Sequence, residues 1–168
     1  MARPNTNSYV DLKNGVTKII TVKGDTFLID TAAKTIAGKY CWSKDHGYAR
    51  AVTRTDAGLK TIYLHRLLCK RKNDKPHVDH INGDRTDCRR ANLRSCDHSE
   101  NLQNQKLRVD NTSGFKGVRW HSQTRKFAAR VTARGKEIHI GLFKTAEEAA
   151  VAATLYRQKL HGEFARHA

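Results

Sequence analysis

Apolar and polar side chains alternate over residues 16–22, a short β-rich stretch follows at 26–30, and two further runs occupy 48–53 and 60–64. Gly24-Asp25, Asp45-His46-Gly47 and Asp56-Ala57-Gly58 separate these runs with turn chemistry, which predicts a small antiparallel sheet. The pattern then changes. Leu64-His65-Arg66-Leu67-Leu68 opens a short amphipathic helix, and Lys70, Arg71 and Lys72 place positive charge at its C-terminal end, where the helix dipole favours it. Pro76 requires an extended entry into 77–81, Asn82-Gly83-Asp84 breaks that strand, and the chain returns through 92–96 as a second one. Asp97 with Glu100 three residues later reads as a capping box, so a helix starts there. Beyond the turn-prone Asp110-Asn111-Thr112-Ser113-Gly114, runs at 115–120, 126–133 and 136–143 predict three strands, with Gly135 and Gly141 at turns or breaks. Thr145 caps an alanine-rich helix to about residue 160, with Glu147 and Glu148 in its first turn. The expected fold is α+β in three parts. A β-rich region with a small antiparallel sheet covers 1–62, a strand-loop-strand-helix core covers 63–107, and a three-stranded antiparallel sheet packed on one helix covers 108–168.

Composition narrows the function. The 168 residues allow only modest cores, and 32 Lys and Arg stand against 16 Asp and Glu, a formal charge of +16. Such a surplus favours a polyanionic partner, most often nucleic acid, although a ribosomal or merely soluble basic protein shares it. Cys41, Cys69, Cys88 and Cys96 form no C-x-x-C pair, and no apolar leader opens the chain, so reduced thiols in a cytoplasmic protein are expected. Small buried thiols are a simpler reading of these cysteines than a zinc site. No run of about 20 apolar residues exists, so no membrane span is expected.

The chemistry concentrates in His77-Val78-Asp79-His80, followed by Asn92 and Asn101. A carboxylate beside an imidazole, with amides arriving later, suits metal-assisted phosphodiester hydrolysis: a hard oxygen holds a divalent cation and a neutral nitrogen takes a proton from water. Adjacent residues of a regular strand face opposite ways, so Asp79 and His80 share a site only at a bulge or a strand end, and Gly83 makes such an irregularity natural. His77 and His98 could face a phosphate or serve packing, and Asn104 reads as a polar helix residue. In the last part, Lys126, Ala128, Arg130 and Thr132 share one strand face, flanked by Arg119, Arg125 and Arg134. A basic three-stranded face can enter a major groove, though a solvated sheet face reads the same way. From residue 103 onward, 13 Lys and Arg face five Asp and Glu.

Leu64-His65-Arg66, Val78-Asp79-His80-Ile81-Asn82-Gly83-Asp84, Asn92-Leu93-Arg94 and His98-Ser99-Glu100-Asn101 resemble the HNH endonucleases with a ββα-metal fold, especially the phage homing enzymes. The resemblance implies His80 as general base, Asp79 and Asn101 as ligands of one Mg²⁺ or Mn²⁺ per active site, and Asn92 as a brace of the loop. Beside these, His77, His98 and Arg94 are candidates for phosphate contact from their places near the motif. Such oxygen ligands suit a hard cation and argue against tight zinc binding. Relatives often have Asp-Asn-Arg where this chain has Asp87-Cys88-Arg89, which affects a loop contact. His65 more often braces such a fold than reacts.

Ser113-Gly114-Phe115-Lys116-Gly117-Val118-Arg119-Trp120, Ile140-Gly141-Leu142-Phe143, Thr145-Ala146-Glu147-Glu148-Ala149-Ala150 and His161-Gly162-Glu163-Phe164-Ala165 resemble the DNA-binding domain of plant APETALA-type ethylene-response factors. Positions matching that family's DNA contacts are Lys116, Arg119, Lys126, Arg130 and Thr132. Arg130, Thr132 and His139 stand where plant domains often carry Glu, Arg and Trp, so the plant target sequence does not carry over. The combined expectation is a sequence-targeted DNA endonuclease of a bacteriophage, free-standing or intron-borne. It would act on double-stranded DNA in the host cytoplasm as a monomer or weak dimer, nicking one strand per active site. A non-catalytic DNA-binding regulator and a structured-RNA binder are the alternatives.

Overall fold

The computed structural model describes residues 7–166. The chain divides into two compact units, 1–96 and 97–168.

In the first unit, β1 (Ser8–Asp11), β2 (Val16–Ile20) and β3 (Thr26–Asp30) form an antiparallel sheet in that order. A short helix α1 (Lys34–Ala37) leads to a second sheet of β4 (Ser43–Asp45), β5 (Tyr48–Thr55) and β6 (Gly58–Tyr63). Helix α2 (Leu64–Leu68) follows directly, and an antiparallel hairpin of β7 (His77–His80) and β8 (Leu93–Cys96) completes the unit. One core joins all of this. Ile19, Phe27 and Ile29 from the first sheet, Trp42, Ala49 and Ala51 before and within the second, Leu64 of α2, and Cys88 and Leu93 around the hairpin pack together, all buried.

The loop between β7 and β8 is stitched to β3. Leu28 N donates to the Thr86 carbonyl at 2.9 Å and the Leu28 carbonyl accepts from Cys88 N at 2.8 Å, a single parallel bridge. Arg90 N donates to Asp30 Oδ2 at 2.7 Å. Helix packing and turn chemistry alone do not reveal these long-range bonds, because their acceptors are mostly backbone oxygens.

In the second unit, α3 (His98–Gln103) precedes a sheet of β9 (Val118–His121), β10 (Lys126–Ala133) and β11 (Lys136–Phe143), with β10 central. The long helix α4 (Ala146–His161) ends in a 3-10 turn over Gly162–Phe164. Val118 and Ala129 from the sheet meet Ala149 and Ala153 of α4, and Phe115, Phe127, Ile140 and Phe143 close the edges. The two alanines leave room for the helix to approach the sheet.

The architecture is mixed α+β with small antiparallel sheets and a C-terminal three-stranded sheet under one helix, as the residue pattern predicts. Three expectations need local correction. β1 and β4 escaped notice because strands of four and three residues carry too little alternation. The alternation at 16–22 ends as a strand at Ile20, since Thr21 N turns to donate to the Asp25 carbonyl at 2.9 Å. The strand expected from 115 begins at Val118, because Gly117 adopts φ +78° and forms a turn first.

Candidate active site

The hairpin places the sequence motif at its end. Asp79 faces Arg94 across the ladder, His80 faces Leu93, and His80 is the last residue of β7. Both motif side chains are buried. They have different surroundings. Asp79 Oδ2 accepts from Arg94 Nε at 2.9 Å and Nη2 at 2.8 Å, so the guanidinium is held on that carboxylate. The His80 ring instead lies in an aromatic cluster, 5.2 Å from the His65 ring and 6.0 Å from that of Tyr48. Burial pushes the His80 pKa below its ordinary value, with Asp79, Asp84 and Asp87 opposing. A neutral imidazole is therefore favoured.

Asn92 ties the turn shut. Its Oδ1 accepts from Asn82 N at 2.9 Å, while its Nδ2 donates to Asn82 Oδ1 at 3.0 Å and to the Asp87 carbonyl at 2.8 Å. Ile81 N adds a bond to the Asn92 carbonyl at 2.9 Å. Gly83 takes φ +69° in the turn and Asp84 Oδ1 accepts from Thr86 N and Oγ1. Thus the backbone following His80 is held from both sides.

Several contributors to this site left little trace in the sequence. Arg89 grips Asp87 through Nε at 2.8 Å and Nη2 at 2.7 Å, which lowers the Asp87 pKa, and Asn82 Nδ2 donates to the same carboxylate. The i, i+2 spacing of Asp87 and Arg89 could have signalled that pair. Arg85 stacks on the Tyr48 ring at 4.6 Å and donates to the His46 carbonyl at 2.9 Å, which no local pattern announces. Cys88 is buried with Sγ 4.0 Å from His80 Nε2, and burial pushes its thiol up to about 12. His65 is buried too; its pKa is lowered to about 3, chiefly by burial and then by His80 and Arg66.

The remaining sequence candidates are distributed as follows. His77 is half-buried on β7, opposite Cys96. His98 is exposed and Asn101 half-buried on α3, where the Asp97 and Glu100 capping box is formed in full. In the second unit, Arg119 pairs across the sheet with Ala128 and Lys126 with His121. A register shift between Ala129 and Arg130 bends β10, after which Thr132 lies opposite Glu137. Arg119, Arg125, Lys126, Thr132 and Arg134 are exposed, Arg125 and Arg134 with positive φ at the two turns. Arg130 is held by Glu137 at 2.7 Å. The Lys116 ammonium donates to the carbonyls of Gln103 and Gln105 at 2.8 and 2.7 Å.

Among the described residues, no three His, Cys, Asp or Glu side chains converge as a metal-binding group. On the hairpin the donors are the Asp79 carboxylate and the neutral His80 imidazole, while the Asn92 amide is bonded to Asn82 and Asp87. Such a set fits a hard divalent cation that keeps much of its water, and fits zinc poorly.

The chain thus presents a hairpin ending in Asp-His and pinned by an asparagine, then a capped helix and a basic three-stranded sheet under a helix. A family model described as HNH endonuclease matches residues 62–103 and one described as AP2 domain matches 113–163. The chain therefore carries both domains, in that order, and they point to a nuclease with DNA binding. It belongs to the same family as Protein 3.8 of Escherichia phage T7, to which it is 37% identical over 92 residues, covering 54% of this chain and 74% of that protein. No solved structure matches the chain. Among the described residues no helix is long and apolar enough to cross a membrane.

Proposed function

We propose that this chain is a sequence-targeted, divalent-metal-dependent DNA endonuclease of the phage homing type. The observation that carries the reading is the Asp79-His80 end of β7, buried and locked by the three side-chain hydrogen bonds of Asn92. Burial keeps His80 neutral, so its imidazole takes a proton from the attacking water. Asp79 and Asn101 hold one Mg²⁺ or Mn²⁺, in the order the motif implies. Arg94 orients the Asp79 carboxylate through two bonds to one oxygen. When bound, the cation supplies neutralisation of the charge that grows on the scissile phosphate. His77 and His98 are the candidates for contact with neighbouring phosphates.

The basic sheet, through Arg119, Arg125, Lys126, Arg130, Thr132 and Arg134, holds double-stranded DNA. One motif per chain makes one nick, and a double-strand break needs a dimer or a second event. The setting is the cytoplasm of the infected bacterium, in keeping with the phage relative.

The test is cleavage of supercoiled plasmid with Mg²⁺ or Mn²⁺, by the natural chain, by His80→Ala and with EDTA present. Metal-dependent nicking that is lost in His80→Ala supports the reading. Tight, salt-sensitive binding without cleavage under either metal would replace it with a DNA-binding regulator built on an inactive motif.

A further inference from the structure

We propose that Lys116 is a positioning residue of the nuclease: its ammonium fixes the C-terminal end of α3, the helix that bears Asn101, to the sheet-and-helix module. This rests on the reading of the chain as an HNH nuclease. It also gives Lys116, which matches a DNA-contact position of the plant domains, an inward task.

The six residues of α3 are too few for a helix that stands unaided. Its start is secured by the Asp97 and Glu100 capping box. Its end presents backbone carbonyls that no further helical turn satisfies. Lys116 Nζ donates to the carbonyl of Gln103, the last residue of α3, at 2.8 Å and to that of Gln105, just past the helix, at 2.7 Å, and positive charge is favourable at that end. Over the rest of α3, a cleft of about 490 Å³ lies toward the module, bordered by Leu102, Gln103, Thr132 and His161 among others. Besides this tie, α3 approaches the module at the Gly162–Phe164 turn that follows α4.

The lysine is itself firmly seated. Its carbonyl accepts from Arg157 Nη2 at 2.6 Å, and Arg157 is buried on α4. The next residue, Gly117, has φ +78°, and a Cβ there would collide with the Arg130 carbonyl oxygen, so the turn carrying Lys116 has no slack. Arg130 N also donates to the Gly117 carbonyl at 2.8 Å, anchoring the turn to β10. Burial, with Arg157 and Arg166 nearby, lowers the Lys116 pKa to about 8, consistent with an ammonium withdrawn from water. Through this chain of bonds, the end of α3, the start of β9, the middle of β10 and α4 move together.

The test compares the full-length natural chain with Lys116→Met and Lys116→Arg, using plasmid DNA and Mg²⁺ or Mn²⁺. For a positioning residue, Lys116→Met lowers kcat at saturating DNA at least ~10-fold, Lys116→Arg recovers most of the loss, and the salt dependence of DNA affinity stays as it was. A phosphate contact gives the reverse: kcat holds while the slope of log affinity against log salt becomes shallower by about 0.9, and the proposal is overturned. Hydrogen exchange on the natural chain keeps the question open to decision if Lys116→Met does not fold. The α3 amides of Asn101 and Asn104, bonded to the Asp97 and Glu100 carbonyls, should then be protected along with those of β10. Free exchange in α3 beside a protected β10 would overturn the proposal. Absence of cleavage by the natural chain would defeat the nuclease reading instead, and the exchange experiment would still decide whether the tie exists.

Discussion

Replacing Asn92 by Asp changes almost no volume and keeps the oxygen that accepts from Asn82 N at 2.9 Å. It converts the group that donates to Asn82 Oδ1 and to the Asp87 carbonyl, at 3.0 and 2.8 Å, into an acceptor. Each lost bond is worth about 1 kcal/mol net, and an oxygen left facing oxygen in a buried site costs a further ~1–3 kcal/mol. Asn92 is only 7% exposed, so water cannot readily repair the loss. The closed turn beyond His80 should therefore weaken by about 3 kcal/mol. At ~1.4 kcal/mol per decade, cleavage at saturating DNA falls roughly 100-fold. DNA affinity should change little, because this amide faces the interior. Single-turnover cleavage, a gel shift, and hydrogen exchange at the Ile81 and Asn82 amides measure the three effects separately. Cleavage by Asn92→Asp within threefold of the natural chain, with those amides still protected, would refute the assignment of Asn92 as the lock of the site.

Two further outcomes follow from buried groups. His65 has its pKa lowered to about 3, so the fold prefers the neutral ring while the unfolded chain takes up a proton below about 6.5. Its contribution is therefore complete above pH 6.5, declines as pH falls, and is exhausted near pH 3; between pH 7 and 5 it should cost about 2 kcal/mol of stability. Urea titrations at both pH values should show a loss about 2 kcal/mol larger in the natural chain than in His65→Phe, which keeps the smaller share due to His80, and an equal loss in the variant would contradict the burial argument. Gly117→Ala should destabilise the second unit by about 3 kcal/mol, combining a left-handed φ cost of ~1–2 with loss of the Arg130 N bond. Thermal unfolding followed by circular dichroism should shift down by more than ~10 °C, and a shift of under ~3 °C would show that the turn can relax.

What could be read directly from the residues was local. The Asp97 and Glu100 capping box, the Thr145 cap of α4, and the hairpin around Asn82-Gly83-Asp84 depend on neighbours within a few positions, and each forms as its spacing predicts. The site's partners are less local. Arg94 finds Asp79 only through the register of β7 with β8, a separation of 15 residues. The aromatic surroundings of His80 come from Tyr48 and His65, on different elements, and neither residue carries a pattern that names its destination. Lys116 was legible as a basic residue, but its acceptors are backbone carbonyls, which every residue possesses and no side-chain alphabet displays.

The stitching of the β7–β8 loop to β3 bears on how such chains can be recombined by their genomes. A crossover between residues 30 and 86 would part Leu28 from Thr86 and Cys88, and Asp30 from Arg90, leaving the incoming loop with a foreign sheet edge to match. The nuclease motif is therefore inherited together with the strands that precede it. A hybrid gene joined within that interval should yield insoluble protein far more often than one joined next to residue 97, where the first compact unit ends.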